Sequence, residues 1–417
     1  MRILHTSDWH LGRSLEGRSR LPEQVRFIDE LCGIVEEEKT DMILIAGDIF
    51  DTVNPSAAAE ELYYEALDRL AAGGLRAVVV IAGNHDSPER LCAAAPLALR
   101  QGITILGLPK EIVKPTGEDA GKVCRPAAGQ GWAKIRIPGL SEMAVIAMLP
   151  YPSESRLNEV LTHSLEETEL RLEYSQRVRQ LFAVLGTNFQ PDTVNLGLSH
   201  LYVRGGLESE SERPIQLGGA PTVEPDVMPV NAHYIALGHL HRPQEVKGAP
   251  VPARYSGSPL AYSFSETGYA KSVMLIEAFP QKRAIYKEIV LSSGYPLVKW
   301  LAKEGLAQVH SWLEQGKDPT AWIDLELHLT EALNSQEIQA LRRARERLIN
   351  IRPVFPETRE LVAEARAKLP IDDLFRHFYR ARMNGAEPDS ELVEVFMSLL
   401  NPRDDNYVDG NDEVEIA

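Results

Sequence analysis

Five short patterns combine side chains able to bind a metal ion: Asp8-Trp9-His10, Gly47-Asp48-Ile49-Phe50-Asp51, Gly83-Asn84-His85-Asp86, a lone His200, and Gly238-His239-Leu240-His241. Carboxylate, carboxamide and imidazole are mixed oxygen and nitrogen ligands suited to Mn²⁺, Fe²⁺ or Zn²⁺, and thiolate is absent from the set. Taken singly each pattern is weak. Asp-x-His can be a cap, Gly-Asp a turn, and Asn-His-Asp an Asx turn before a helix. A His-x-His pair in a strand merely puts two rings on one face. What gives them weight is position, because each follows an apolar run. Polar groups are costly to bury at a strand end without partners. The remaining histidines, His5, His163, His233, His310, His328 and His377, have no such company and read as structural.

The elements that must carry these residues alternate. Strands are expected at 2–7, 41–48, 76–84 and 103–108, and helices at 22–39, 56–74 and 88–100. Pro22 suits a first helical turn, and Ser56 suits an N-cap. Such alternation implies βαβ units and a mainly parallel sheet, outside whose carboxyl strand ends functional groups gather. Two further strand-like runs, "AKIRIPG" and "AVIAMLP", precede a long charged helix expected over 153–185. Strands resume at 193–203, 233–241 and 271–279, with an irregular loop at 204–232. From 284 the pattern becomes β-α-β-α-β. "AIYKEIVL" reads as its first strand and "PLVKWLAKEGLAQVHSWLEQG" as its first helix. "AWIDLELHL", "SQEIQALRRARERL" and "INIRPVF" complete it. Three helix candidates follow, "PETRELVAEARAKL", "PIDDLFRHFYRARM" and "DSELVEVFMSLL", and then an acidic tail from Arg403 poor in core residues.

The chain has 417 residues, 44 % of them hydrophobic and 25 % charged, which fits a soluble protein of two or three domains. No apolar run reaches the roughly 20 residues of a membrane helix, and the N-terminus turns polar too early for a signal peptide. Three cysteines, Cys32, Cys92 and Cys124, lack metal-type spacing and read as reduced thiols in a cytoplasmic protein. A net charge of −16 argues against a protein that coats DNA through Lys and Arg. A metalloenzyme escapes that objection, since its ions present positive charge to phosphate. Arg13, Arg18 and Arg20 near the first motif are the candidate DNA contacts, against a plain reading as solvated surface.

In this order the five motifs resemble the calcineurin-like metallophosphoesterase superfamily. "HTSDWHLG", "AGDIFDT", "AGNHDS" and "YSGSPLAYSFSE" resemble, more narrowly, its SbcD branch of bacterial nuclease subunits, the counterpart of the meiotic-recombination nuclease of archaea and eukaryotes. The likeness is strong over residues 1 to about 280 and looser beyond. It implies an α/β fold: a metallophosphoesterase-type β-sandwich flanked by helices (1–283), a small α+β capping domain (284–355), and a C-terminal helical extension for partner binding (356–402) before a disordered tail (403–417). It also implies two divalent ions, most simply Mn²⁺, bridged by Asp48. Asp8, His10 and His241 would complete one site, and Asn84, His200 and His239 the other. His85 would be catalytic rather than a ligand, Asp86 would orient it, and Asp51 would support the Asp48 loop.

The activity so implied is DNA phosphodiester hydrolysis at double-stranded ends and hairpins, by exonuclease and endonuclease action, in repair, recombination and replication. The implied partner is an SbcC-type SMC-like ATPase, bound by a homodimer within a heterotetramer. Helices 56–72 and 88–100 are the candidate dimer contacts, and no membrane is involved. A phosphomonoesterase of the Ser/Thr phosphatase type is disfavoured because "GDIFDTVNP" lacks that family's arginine. A scaffold that only binds partners is disfavoured because every ligand position is filled.

Overall fold

The computed structural model describes residues 1–117, 121–159, 167–212, 222–355, 370–382 and 387–400. Two sheets lie at its centre. The first is formed by β1 (Arg2–Thr6), β4 (Met42–Ala46), β5 (Ala77–Ile81), β6 (Ile103–Leu106), β14 (Ser272–Glu277) and β15 (Ile285–Val290), in the order β15-β14-β1-β4-β5-β6. Strands β1, β4, β5 and β6 run parallel; at one edge β14 pairs antiparallel with β1, and β15 pairs antiparallel with β14. The second is formed by β7 (Cys124–Gly129), β8 (Trp132–Arg136), β9 (Met143–Leu149), β10 (Thr193–His200), β11 (Tyr234–Gly238), β12 (Gln244–Glu245) and β13 (Ala253–Tyr255). Its order is β12-β13-β11-β10-β9-β8-β7. A two-stranded hairpin, β2 (Ser14–Leu15) and β3 (Arg18–Ser19), follows β1.

Burial on both faces explains why the central strands read as unbroken apolar runs rather than alternating ones. Leu44, Val79 and Ile81 meet Ile146, Met148 and Leu196 between the sheets. On the other face of the first sheet, Ile43, Ile45 and Val80 pack against helices α1 (Leu21–Glu37) and α2 (Ala57–Ala71). The second sheet is covered on its outer face by Tyr174, Val178 and Phe182 of helix α6 (Glu167–Gly186). The expected alternation is therefore present, but it divides into two mixed sheets instead of one mainly parallel sheet. Helices α3 (Pro88–Leu91), α4 (Ala95–Ala98) and α5 (Glu154–Leu157) are short. Asn158, at φ 52°, ends α5 in the left-handed conformation, so the helix expected from 153 stops after one turn.

The β-α-β-α-β segment differs from its sequence reading in two places. "IYKEIV" pairs antiparallel with β14 and extends the first sheet, so residues 285–290 do not open a new sheet. "LVKWLA" is strand β16 (Leu297–Ala302), parallel to β17 (Trp322–His328), and only the residues after it form helix α7 (Leu306–Glu314). Its apolar positions fit either period, and pairing with β17 decides between them. Helix α8 (Ser335–Ala344) and β18 (Leu348–Val354) complete a small sheet of order β16-β17-β18.

A separate unit holds helices α9 (Ile371–Arg382) and α10 (Ser390–Leu400). There Phe375 stacks on Phe396 with ring centroids 4.1 Å apart. The helix candidate at 356–369 and the tail from Arg403 lie outside the described residues. No helix among the described residues is long and apolar enough to cross a membrane.

His5 is structural, as its lack of company implies. Its Nε2–H donates to the Leu237 carbonyl at 3.1 Å, and its Nδ1 lies 3.1 Å from the Tyr234 hydroxyl, which ties one sheet to the other. Burial holds its pKa down to about 3. The unfolded chain takes up this proton below about pH 6.5, whereas the folded chain stays neutral. Stability from the neutral ring is thus complete above pH 6.5 and drains away as pH falls towards 3. Between pH 7 and 5 this one group should remove about 2 kcal/mol. Urea unfolding of His5→Gln at both pH values should show a lower stability at pH 7 and a shallower fall. A fall as steep as that of the parent would remove His5 as the cause.

Candidate metal centre

All the motif residues meet at the same ends of the two sheets. Asp8 and His10 follow β1, Asp48 follows β4, and Asn84 to Asp86 follow β5. His200 is the last residue of β10, and His239 and His241 follow β11. The first sheet thus supplies the oxygen donors with His10, and the second supplies three imidazoles. Asp8, His10, Asp48 and His239 have φ of 54°, 45°, 51° and 109°, a region that few residues other than glycine adopt. Asp, Asn and His tolerate it best, and strain of this kind collects where surrounding structure enforces it. Close approach also dictates glycines. A Cβ on Gly47 (φ 87°) would lie 2.5 Å from His200 Nδ1, and one on Gly83 would lie 2.2 Å from Asp48 Oδ1.

Donor atoms come within a few ångströms of one another in two groups. In the first, His10 Nε2 lies 3.0 Å from His241 Nε2 and 3.7 Å from Asp48 Oδ2; Asp8, His10 and His241 form one compact set. In the second, Asn84 Oδ1 lies 2.9 Å from His200 Nε2 and 3.1 Å from His239 Nδ1, and His200 Nε2 is 3.5 Å from Asp48 Oδ2. Asp48 touches both groups. Ligands bound about 2.1 Å from a shared ion at right angles to one another stand about 3 Å apart, so these separations fit divalent cations. Burial is the main force pushing the pKa of His10, His200, His239 and His241 down, to about 3 for His239. Neutral rings keep the lone pairs that a metal needs. Burial, reinforced by the Asp48 charge, pushes Asp8 up. At Asp48 burial opposes ionisation, but His200, His85 and the His85 N–H outweigh it and hold the carboxyl below its ordinary value. A cation between the two carboxylates would relieve their repulsion.

The rings are aimed by backbone carbonyls. His200 Nδ1–H donates to the Ala46 carbonyl at 2.8 Å, which leaves Nε2 free to coordinate. His85 Nδ1–H donates to the Asp51 carbonyl at 2.7 Å, so Nε2 faces the site, 3.9 Å from Asp48 Oδ2. This corrects the role expected for Asp86. Its carboxylate accepts the N–H groups of Gly83, Phe50 and Ile49 at 2.8, 2.9 and 3.2 Å. Asp86 ties the loop after β5 to the loop after β4, and the Asp51 main chain orients His85. The Asp51 side chain stands 3.7 Å from His10 Nδ1 and 3.6 Å from Arg13.

Several supporting residues carry no motif. Ser211 Oγ lies 2.5 Å from His241 Nδ1, and Glu212 accepts the His241 N–H at 2.7 Å. Lys271, buried and paired with Glu266, donates to the His241 carbonyl at 2.9 Å. Ser7 donates to Asp8 at 2.5 Å. Arg156 grips the loop after β5 through the carbonyls of Gly83 and Asp86, both at 2.7 Å. One signal could have exposed part of this set: Ser263-x-x-Glu266 is a capping box, and its Glu266 is the partner of Lys271. Of the basic residues near the first motif, Arg20 is wholly buried and is no DNA contact. Arg13 reaches inward to the Ser211 carbonyl at 2.8 Å, and Arg18 is exposed.

A paired-carboxylate and imidazole centre at the seam of a four-layer αββα sandwich defines a metallophosphoesterase. Residues 1–134 match the family described as calcineurin-like phosphoesterase. The SbcD subunit of the SbcCD nuclease from Bacillus subtilis is 49 % identical over 402 residues, covering 96 % of this chain and 98 % of that protein. The SbcD subunit from Rhodobacter capsulatus is 37 % identical over 289 residues, covering 66 % of each. The chain belongs to the SbcD family of nuclease subunits.

Asp86→Asn tests the tie between the two loops. One amide oxygen cannot serve three N–H donors, and a stranded buried donor costs about 1–3 kcal/mol. Thermal unfolding should show a loss of that size. An unchanged melting temperature would show that the three bonds contribute nothing.

Proposed function

We propose that this chain is the nuclease subunit of an SbcCD-type complex, a metal-dependent phosphodiesterase that cuts double-stranded DNA ends and hairpins. The observation that carries the reading is the convergence of seven donor side chains, from five strand ends in two sheets, at separations suited to two ions. Asp8, His10, Asp48 and His241 would hold one ion, and Asp48, Asn84, His200 and His239 the other. The donor set, all oxygen and imidazole nitrogen, suits Mn²⁺, Fe²⁺ and Zn²⁺ alike, and the family resemblance makes Mn²⁺ the proposed occupant. A bound pair of divalent ions supplies Lewis acidity to a phosphate and makes hydroxide available from water near neutral pH.

The chain's own groups do the rest. Asp48, ionised despite burial, serves both donor groups at once. The Asp51 carbonyl engages the His85 Nδ1–H, so Nε2 is the ring nitrogen directed at the site, and an N–H there would donate to the scissile phosphate or its leaving oxygen. Arg156 and Asp86 keep the loop that carries Asn84 and His85 in place from either side. The deciding experiment is cleavage of linear and hairpin DNA by the purified chain with Mn²⁺, with and without an SbcC-type ATPase. Hydrolysis of phosphomonoesters alone would refute the reading.

Asn84 and His85 are neighbours with different tasks, so their substitutions should fail differently. Asn84→Ala removes a ligand and should lower the metal content of the purified protein. His85→Ala should keep both ions yet cut more slowly by about 10²–10⁴-fold. Elemental analysis beside a cleavage rate on one substrate separates the two. Lost metal in His85→Ala, or near-normal cleavage, would overturn the assignment.

The partner reading rests on the C-terminal helices, whose described residues include the exposed apolar side chains of Ile371, Phe378 and Val395. An amphipathic helix laid into a partner's groove is one way to cover such a face, and the coiled-coil base of an SMC-like ATPase is the proposed groove. The chain would act in the cytoplasm as a homodimer within a heterotetramer, with 56–72 and 88–100 as the dimer contacts. Deletion from residue 357 onward should abolish co-purification with the ATPase and spare Mn²⁺-dependent cleavage. Undiminished co-purification would place the contact elsewhere.

A further inference from the structure

The first turn of α1 carries two buried neighbours that face different parts of the molecule. The Glu23 carboxylate accepts the Tyr295 N–H at 2.7 Å, the Trp322 indole N–H at 3.0 Å, and two N–H groups of the buried Arg20. Tyr295 leads into β16 and Trp322 opens β17, so Glu23 fastens the small sheet to the helical layer of the sandwich. Gln24 faces the other way. Its Nε2 donates to the His10 carbonyl at 2.8 Å, and its Oε1 accepts the Gly12 N–H at 3.0 Å. Gln24 Nε2 also lies 3.4 Å from the Tyr262 hydroxyl, which itself donates to the Trp9 carbonyl. The Tyr262 ring stands edge-on to His10 and His241, with centroids 5.6 and 6.2 Å away. Arg20 lies between the two aromatic groups, 6.0 Å from the Tyr262 centroid and 5.6 Å from that of Trp322.

His10, at φ 45°, needs this support, because the backbone alone disfavours its conformation. We infer that the first turn of α1 is a positioning device: Gln24 and Tyr262 hold His10 in the left-handed conformation that aims its ring, and Glu23 makes that hold depend on where the small sheet sits. Glu23 and Gln24 are consecutive on one helical turn, and both are buried and hydrogen-bonded. A shift of Trp322 and Tyr295 therefore cannot be absorbed between them without breaking bonds to a charged carboxylate, which are the stronger kind. The small sheet thereby has a mechanical route to one of the two metal positions. The other position, built from Asn84, His200 and His239, has no contact with this turn among the described residues.

This inference rests on the reading of His10 as a metal ligand. Calorimetric titration of the metal-stripped full-length chain with Mn²⁺, beside thermal unfolding of the same stripped protein, tests both. The parent should bind two ions; uptake of none would overturn the metal reading and this inference with it. Gln24→Met, which keeps the shape and removes the bonds to His10 and Gly12, should weaken one ion by about 10-fold or more and spare the other. Tyr262→Phe should weaken the same ion, which keeps the test open if the first variant does not fold. Trp322→Phe, which removes only the indole N–H and a little volume, should also weaken that ion, by several-fold. A two-ion parent with a Trp322→Phe titration superimposable on it would overturn the link to the small sheet. Equal weakening of both ions in Gln24→Met and Tyr262→Phe would overturn the selective support of His10.

Discussion

One buried carboxylate organises this molecule. Asp48 lies within 4 Å of the rings of His10, His85 and His200 and accepts the His85 N–H. A charge taken out of water is tolerable only where partners replace the lost solvation, and here they come from three other strand ends. The requirement propagates outward. Gly47 and Gly83 must be glycine so that the chain can close around Asp48. Asp86 must pin the loop after β4 to the loop after β5. Asp51 must present its carbonyl to His85. The two sheets must lie close enough for His200 to hydrogen-bond the Ala46 carbonyl of the opposite sheet.

The sandwich resolves a geometric problem that a single sheet would not. Parallel strands deliver their carboxyl ends to one edge, but adjacent ends of one sheet lie in a row. With two sheets face to face, the Asp and Asn donors come from one side and His200, His239 and His241 from the other. The centre is enclosed from both directions. Inter-sheet contacts such as His5 with Tyr234 and Leu237 are therefore part of the site's support as much as of the core.

The strand-end motifs are legible in the sequence because metal-binding residue types recur after one apolar run after another; singly, each would pass for an ordinary turn or cap. The residues that brace His241 are not. Ser211 and Glu212 lie in a polar, aperiodic stretch about thirty positions from their partner, and nothing local marks them. Tyr262, Lys271 and Arg156 are ordinary by type and acquire a role only through contacts across the fold. The edge of the first sheet is illegible for another reason. β15 is an exposed strand at a sheet margin, and its pattern does not say which sheet it joins; only pairing with β14 does. Residues 297–302 satisfy both helical and strand periods, and the neighbour β17 decides.

The donors are scattered along the chain from Asp8 to His241, and neither proposed ion has all its ligands until the second sheet is built. A polypeptide emerging from the ribosome has exposed Asp8, His10, Asp48 and Asn84 long before His200, His239 and His241 exist. During that interval the early residues offer a passing cation only a loose and incomplete grip. On the proposed ligand assignment, full coordination comes only after the sheets have closed, so the finished centre rather than the nascent chain would choose the ion.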